Sequence, residues 1–97
     1  MTAATVAEVA ARSQIQIGLC KLAQKKPMEA AAAFLTVPAA YDYPELNFAA
    51  MIEAARAYAA DNKPAEAEKL PQKILADAPK DSEWSKAAQE RLKEIKK

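Results

Sequence analysis

The sequence predicts an all-α protein, and three observations support that prediction. A short phrase occurs twice, as KPMEA at residues 26–30 and KPAEA at residues 63–67, so that the second begins 37 residues after the first. Much of the 52% apolar content is alanine, the strongest helix former. The only glycine is Gly18, and no segment shows the alternation of Val, Ile, Tyr and Thr that is typical of strands.

Each phrase follows an apolar helical stretch and opens another one. Pro27 and Pro64 then stand at a first helical position, where the missing N–H of proline costs nothing. The phrases therefore predict the bends of two helical hairpins. We expect one domain over residues 1–97, with repeat 1 at about 11–44, repeat 2 at about 45–80 and a capping helix at about 81–96.

Composition bounds the class of function. The net charge is +1 with both signs intermixed, which favours neither nucleic acid nor an anionic membrane as a partner. No apolar run approaches the roughly 20 residues that span a bilayer, and no targeting signal is visible at the N-terminus. A single cysteine forms no internal disulfide. Both a cytoplasmic and a bacterial periplasmic location stay open, so the localisation is unknown.

The first helix is predicted from about Thr2 to Lys25, and it carries two apolar stripes instead of one. One stripe comprises Val6, Ala10, Ile17 and Cys20. The other, nearly opposite, comprises Ala11, Ile15, Leu19 and Leu22. A helix of this kind is covered on two faces or leaves one face for another molecule, and the second stripe is the sharper indication of function.

The second helix should begin at Pro27, use Phe34 as its main apolar anchor and stop near Val37, because a proline disfavours helical geometry in the residue before it. Residues 37–44 then form a connection that contains two prolines and two tyrosines. We expect the rings of Tyr41 and Tyr43 to pack back over the hairpin.

The third helix, at about Glu45 to Asp61, is apolar almost all round, which predicts a central position, with Glu53 and Arg56 paired on its polar edge. Asn62 suits the left-handed conformation that often ends a helix. The fourth helix should run from Pro64 to a point before Pro79, with a kink at Pro71.

The last helix should begin at a cap formed by Asp81 or Ser82. It has one apolar stripe and one solvated face, as expected of a helix that closes a stacked array against water. The stripe comprises Trp84, Ala88, Leu92 and Ile95.

The sequence contains few side chains that are suited to catalysis. The chain has no histidine, and Cys20 has no visible activating partner. Neighbouring acidic residues on the predicted helices are interpreted as solvated charges. A metal site would have to be built from carboxylates alone. We therefore expect a protein that is not an enzyme, with no cofactor and no metal.

A repeat of 34 or slightly more residues resembles the tetratricopeptide repeat when each copy is a helical hairpin with a small residue midway along the first helix and an alanine soon after the second begins. Gly18, Ala30 and Phe34 carry the resemblance in the first copy, and Ala55, Tyr58, Ala67 and Pro79 in the second. The repeats look most like those of the bacterial Tol-Pal cell-division coordinator and the outer-membrane assembly lipoprotein family. The resemblance implies a right-handed stack of antiparallel hairpins.

The resemblance also implies a concave groove lined by the first helix of each repeat. Matching the motif places these residues there: Arg12, Ile15, Leu19, Leu22, Ala49, Ile52, Arg56 and Ala59. An apolar floor with two arginines suits an amphipathic or extended segment that carries a carboxylate. Two alternatives stay open for the stripe of Ile15, Leu19 and Leu22: it mediates self-association, or it is plain core.

The sequence therefore predicts a non-enzymatic module that binds a peptide or helix of another protein in an apolar groove. The alternative is a structural or oligomerisation module. It would form a homodimer through the first helix or one piece of a longer repeat array.

Overall fold

The chain folds into five α-helices joined by short turns, as seen in a computed structural model that describes residues 6–41 and 43–95. The helices are α1 (Val6–Ala23), α2 (Pro27–Ala40), α3 (Pro44–Ala60), α4 (Pro64–Asp77) and α5 (Glu83–Ile95). The described residues contain no strand. The all-α prediction is confirmed. The predicted start of the first helix at Thr2 and the last residue of the capping helix, Lys96, lie outside the described residues.

The two repeated phrases adopt the same local geometry. Lys25 and Asn62, which end the first helix of each hairpin, have φ of 62° and 60°. In both turns the residue that follows donates its backbone N–H to the carbonyl five residues earlier. Lys26 donates to Lys21 at 2.9 Å, and Lys63 donates to Tyr58, also at 2.9 Å. This is the Schellman arrangement, in which a left-handed residue lets the turn satisfy the last carbonyls of a helix. The left-handed conformation predicted for Asn62 is confirmed.

α3 is the central element. It contacts α2 and α4, its neighbours along the chain, and also α1 and α5. Its side chains divide between two hydrophobic clusters, with Ala50, Ala54 and Ala57 in the first and Met51 and Ile52 in the second. The central position predicted from its nearly uniform apolar character is confirmed.

The first cluster joins α1, α2 and α3 around Phe34, which is fully buried. Tyr41 and Tyr43, on either side of the turn between α2 and α3, are half-buried and pack against this cluster, as predicted. The second cluster joins α3, α4 and α5 around Ile74, with Trp84 packed against it and its ring centroid 6.2 Å from that of Phe48. The two clusters meet at Leu70, which packs against both.

The prediction that the second helix stops near Val37 is wrong, since α2 continues through Pro38 to Ala40. Pro38 lies in the last turn, so the lost N–H and the crowding of its ring against the preceding turn affect only the end of the helix. The helix closes beyond it because the N–H of Tyr41 donates to the carbonyl of Val37 at 2.9 Å. Val37 is fully buried, so packing holds it in the helix against its local preference.

Pro71 lies inside α4 and is buried. The kink expected there stays a prediction. α4 ends at Asp77, before Pro79, as predicted. At α5, Ser82 provides the predicted cap: its Oγ accepts a hydrogen bond from the N–H of Ser85 at 3.2 Å.

Candidate functional site

The odd-numbered helices form one layer of the molecule. α1 contacts α3, and α3 contacts α5, while α2 packs across α1 and α3 and α4 packs across α3 and α5. No Cα atom of α2 comes within 8 Å of one in α4. One side of the odd-numbered layer is therefore covered by α2 and α4, and two depressions mark the seams on its open side. We call this open side the odd-helix face.

The first depression lies over the seam between α1 and α3 and has a volume of about 500 Å³. Arg12 of α1 and Leu46 in the first turn of α3 line it, and both also line a smaller adjoining hollow with Ile15 and Gln16. A guanidinium nitrogen of Arg12 lies 3.5 Å from a carboxylate oxygen of Glu8, one turn earlier on α1. Arg12 therefore lies beside aliphatic side chains of both α1 and α3.

The second depression lies over the seam between α3 and α5 and has a volume of about 270 Å³. Arg56 of α3 and Arg91 of α5 both line it, with Ala59 and Ile95 supplying apolar surface. Arg56 donates to Glu53 at 3.2 Å, and the predicted pairing of these two residues is confirmed. This seam brings two arginines from different helices to one place.

Arg91 is the less well satisfied of the two arginines. Its Nη1 donates to Glu94 Oε2 at 2.7 Å, but its Nε is buried and has no hydrogen-bond partner. Leaving a buried donor unpaired costs about 1–3 kcal/mol, and more for a charged group. Arg91 therefore brings a donor that is not yet satisfied to the wall of this depression.

The three arginines of the sequence lie one on each odd-numbered helix, and all three line these depressions. Each is paired with a glutamate of its own helix three or four residues away. Such exposed pairs are worth only a few tenths of a kcal/mol. Each guanidinium offers five donors, so a second carboxylate can bind without a large loss.

The predicted groove residues fall into three groups. Arg12 and Ile15 line the hollows over the α1 and α3 seam, and Arg56 and Ala59 line the depression over the α3 and α5 seam. Ala49 is half-buried, and Ile52 is buried in the second cluster with 7% of its surface exposed. Leu19 and Leu22 are half-buried and pack against the first cluster, as Ile15 also does, and neither of the two leucines lines a depression described above.

The structure adds residues that the sequence interpretation did not include. They are Glu8, Tyr43, Leu46, Arg91, Glu94 and Ile95. Ile95 was assigned to the apolar stripe of the capping helix, and it extends that stripe to the edge of the depression. One signal could have identified Arg91: the chain has only three arginines, and the other two were already placed in the groove.

A second exposed feature lies on α1, on the side away from the core. Four large hydrophobic side chains of the described residues are exposed, and three of them are on α1: Val6 at 88%, Val9 at 52% and Ile17 at 46%. Cys20 is also exposed and has a free thiol. Of the two predicted stripes of the first helix, the one containing Ala11 and Leu19 thus packs inward, and the one containing Val6 and Ile17 faces solvent.

Residues 6–41 and 43–95 contain no group of three or more histidine, cysteine, aspartate or glutamate side chains that could hold a metal ion. Within the same ranges, no helix has the length and apolar character needed to cross a membrane. No protein-family model matches the chain, and neither a curated protein nor a solved structure shows significant similarity to it.

Proposed function

We propose that this protein is a non-enzymatic interaction module of the tetratricopeptide-like kind, which binds a segment of another protein on the odd-helix face. The observation that carries the proposal is the placement of all three arginines on that face, each beside apolar side chains. Arginine is enriched where proteins recognise one another. Ile15 and Leu46 offer apolar contact at one seam, and Ile95 at the other.

The chemistry of the face favours a segment that combines apolar side chains with carboxylates. An arginine binds a carboxylate through two parallel N–H···O bonds, which gives direction as well as energy. The seam between α3 and α5 is the stronger anchor, because Arg56 and Arg91 can approach one carboxylate from two helices. The sequence interpretation placed Arg12 and Arg56 on the floor of one groove, whereas these two residues line separate depressions.

The test begins with selection of binders from a library of random-sequence peptides displayed on phage. The selected peptides are then titrated into the isotopically labelled chain and followed by NMR. Binding should shift the Nε–H signals of Arg56 and Arg91, which are easily assigned in a chain with three arginines. Arg56→Gln and Arg91→Gln should each weaken binding by about tenfold, which corresponds to one charge-assisted hydrogen bond.

The matched control is Lys69→Gln. Lys69 forms a comparable exposed ion pair with Glu66 at 3.6 Å, but on α4, away from the odd-helix face. Its substitution should leave peptide affinity unchanged. Peptides that bind both arginine variants as tightly as the parent chain, or that shift only signals of α2 and α4, would refute the proposal.

The alternative function is that of a structural or oligomerisation module. It is favoured by the exposed apolar side chains of α1, which can be covered by a second copy or by a further hairpin of a longer array. On this reading the side of α1 that makes the contact is the one with Val6, Val9 and Ile17. The sequence interpretation had assigned self-association to the side with Ile15 and Leu19.

A further inference from the structure

The three pairs of arginine and glutamate on the odd-helix face differ in which partner is the more buried. In the pairs made by Arg12 and Arg56, the arginine is the more exposed side chain. The third pair is the reverse, since the side chain of Arg91 is 23% exposed and that of Glu94 is 61% exposed. Both line the depression over the α3 and α5 seam. Packing thus holds Arg91 at the wall of this depression, while Glu94 extends into solvent.

The pair of Arg91 and Glu94 also has the less favourable order along its helix. Glutamate supports a helix better when it precedes its cationic partner than when it follows. Glu8 and Glu53 precede their arginines, whereas Glu94 follows Arg91 by three residues. Glu94 also lies in the last turn of α5, where the helix dipole favours cations. α5 therefore gains little from this pair, and separating its two partners costs little.

Glu94 satisfies Arg91 only in part. Its Oε2 accepts from Nη1 of Arg91 at 2.7 Å, and Nε has no partner among the described residues. A guanidinium has five donors and binds a carboxylate best through two parallel bonds. If two carboxylates lie roughly 5 Å apart on one guanidinium, their repulsion in water lowers the affinity for the second about fourfold. Glu94 thus opposes any other carboxylate at Arg91, whether it stays or leaves.

We propose that Glu94 is an internal competitor for Arg91 and a specificity-determining residue of this depression. The inference rests on the proposed function, because it concerns an arginine to which a partner's carboxylate is proposed to bind. In the free chain, Glu94 occupies Arg91. A partner's carboxylate on an aliphatic stem displaces it, since Ala59 and Ile95 provide apolar contact in the same depression. Glu94 lowers the affinity for every anion there, so apolar contact decides which one binds.

The probe for this competition is isovalerate, a carboxylate on a branched aliphatic stem that is small enough for a depression of about 270 Å³. Isovaleramide is its neutral counterpart. Each is titrated into the isotopically labelled full chain at constant ionic strength, and the Nε–H signal of Arg91 reports binding. Glu94→Gln should raise the affinity for isovalerate about fourfold, because it removes the competing charge. It should leave the affinity for isovaleramide unchanged.

The matched control is Glu90→Gln. Glu90 is exposed on α5 and is not among the residues that line the depression, so its substitution removes the same charge from the same helix. It should change the affinity for isovalerate less than twofold, because solvent and salt screen an exposed charge outside the depression. Urea denaturation of Glu94→Gln excludes a structural role for the pair, since the unfolding midpoint should stay at the parent value.

Three results would overturn the proposal. They are equal or weaker binding of isovalerate to the Glu94→Gln variant, an equal gain in Glu90→Gln, and no response of Arg91 to isovalerate in either chain. Failure of the proposed function looks different. Selected peptides would then bind Arg56→Gln and Arg91→Gln as tightly as the parent chain, while Glu94→Gln still raised the affinity for isovalerate. In that case Glu94 competes for Arg91, but protein segments bind elsewhere.

Discussion

Gly18 of α1 lies directly against the ring of Phe34 of α2. A Cβ atom built at position 18 would be 2.5 Å from Phe34 Cε1 and 2.6 Å from Cδ1. The optimal separation of non-bonded carbon atoms is about 3.5–4.0 Å, so a side chain at position 18 requires the ring of Phe34 to move. The only glycine of the sequence therefore sets how closely the two helices of the first hairpin pack.

Gly18→Ala should destabilise the protein even though alanine is the better helix former. Removing a mid-helix glycine gains about 1 kcal/mol, but forcing a methyl group into a packed core costs typically 1–3 kcal/mol. Because the ring of Phe34 is fully buried and has little room to move, we expect a net loss of about 1–2 kcal/mol in the free energy of unfolding. Urea denaturation measures it.

A double-mutant cycle shows whether Phe34 is the cause. Phe34→Leu removes the ring atoms that the new methyl group would meet, so Gly18→Ala should cost less in that background. A coupling energy of about 1 kcal/mol is expected. Strict additivity of the two substitutions would show that the clash is relieved elsewhere.

Leu19→Asp should strongly lower the free energy of unfolding and Ile17→Asp should hardly change it, although the two positions are close neighbours on α1. Leu19 packs against the first hydrophobic cluster, so a carboxylate there loses apolar contact and is partly desolvated. We expect a loss of about 2–4 kcal/mol, measured by chemical denaturation. Ile17 is 46% exposed, and its substitution should change the unfolding free energy by no more than about 0.5 kcal/mol.

Equal effects of these two substitutions would contradict the assignment of the inward side of α1. A stable, folded Leu19→Asp variant would restore the reading of Leu19 as open groove surface.

Lys25→Gly should stabilise the protein. Lys25 has φ of 62°, in the left-handed region where a non-glycine residue pays roughly 1–2 kcal/mol. Glycine adopts this conformation freely but loses more entropy on folding, so the expected net gain is about 0.5–1 kcal/mol. Asn62→Gly should gain less, because asparagine tolerates the left-handed region.

The control for the first turn is Lys26→Gly. Lys26 has φ of −118°, which any residue adopts, so glycine there offers no relief and should be neutral or destabilising. Thermal unfolding of the three variants side by side checks the order Lys25→Gly, Asn62→Gly, Lys26→Gly. A different order would mean that side-chain contacts, and not backbone conformation, control these turns.

Ser82→Ala should weaken the start of α5. Ser82 Oγ accepts from the N–H of Ser85 at 3.2 Å and donates to the carbonyl of Pro79 at 2.7 Å. Loss of a serine cap costs about 0.5–2 kcal/mol. Ser82→Asp should retain most of the stability, because its carboxylate also accepts from a first-turn N–H and complements the helix dipole. Faster amide exchange at Ser85 in the alanine variant would locate the effect.

Local features of the structure could be predicted from the sequence because short-range chemistry controls them. Pro27 and Pro64 begin helices because proline is suited to a first helical position. Asn62 ends a helix and Ser82 begins one through bonds within a few residues of themselves. The central position of α3 also follows locally, since a helix that is apolar nearly all round has to be covered on several sides.

Only the tertiary structure decided which side of α1 is buried. The two stripes are similarly apolar, so periodicity does not distinguish them, but the close approach of Phe34 to Gly18 turns the side with Ala11 and Leu19 inward. The end of α2 was decided in the same way, because burial of Val37 outweighs the local preference imposed by Pro38. Arg56 and Arg91, 35 residues apart, line one depression because of how α3 and α5 pack, and no short-range rule specifies that packing.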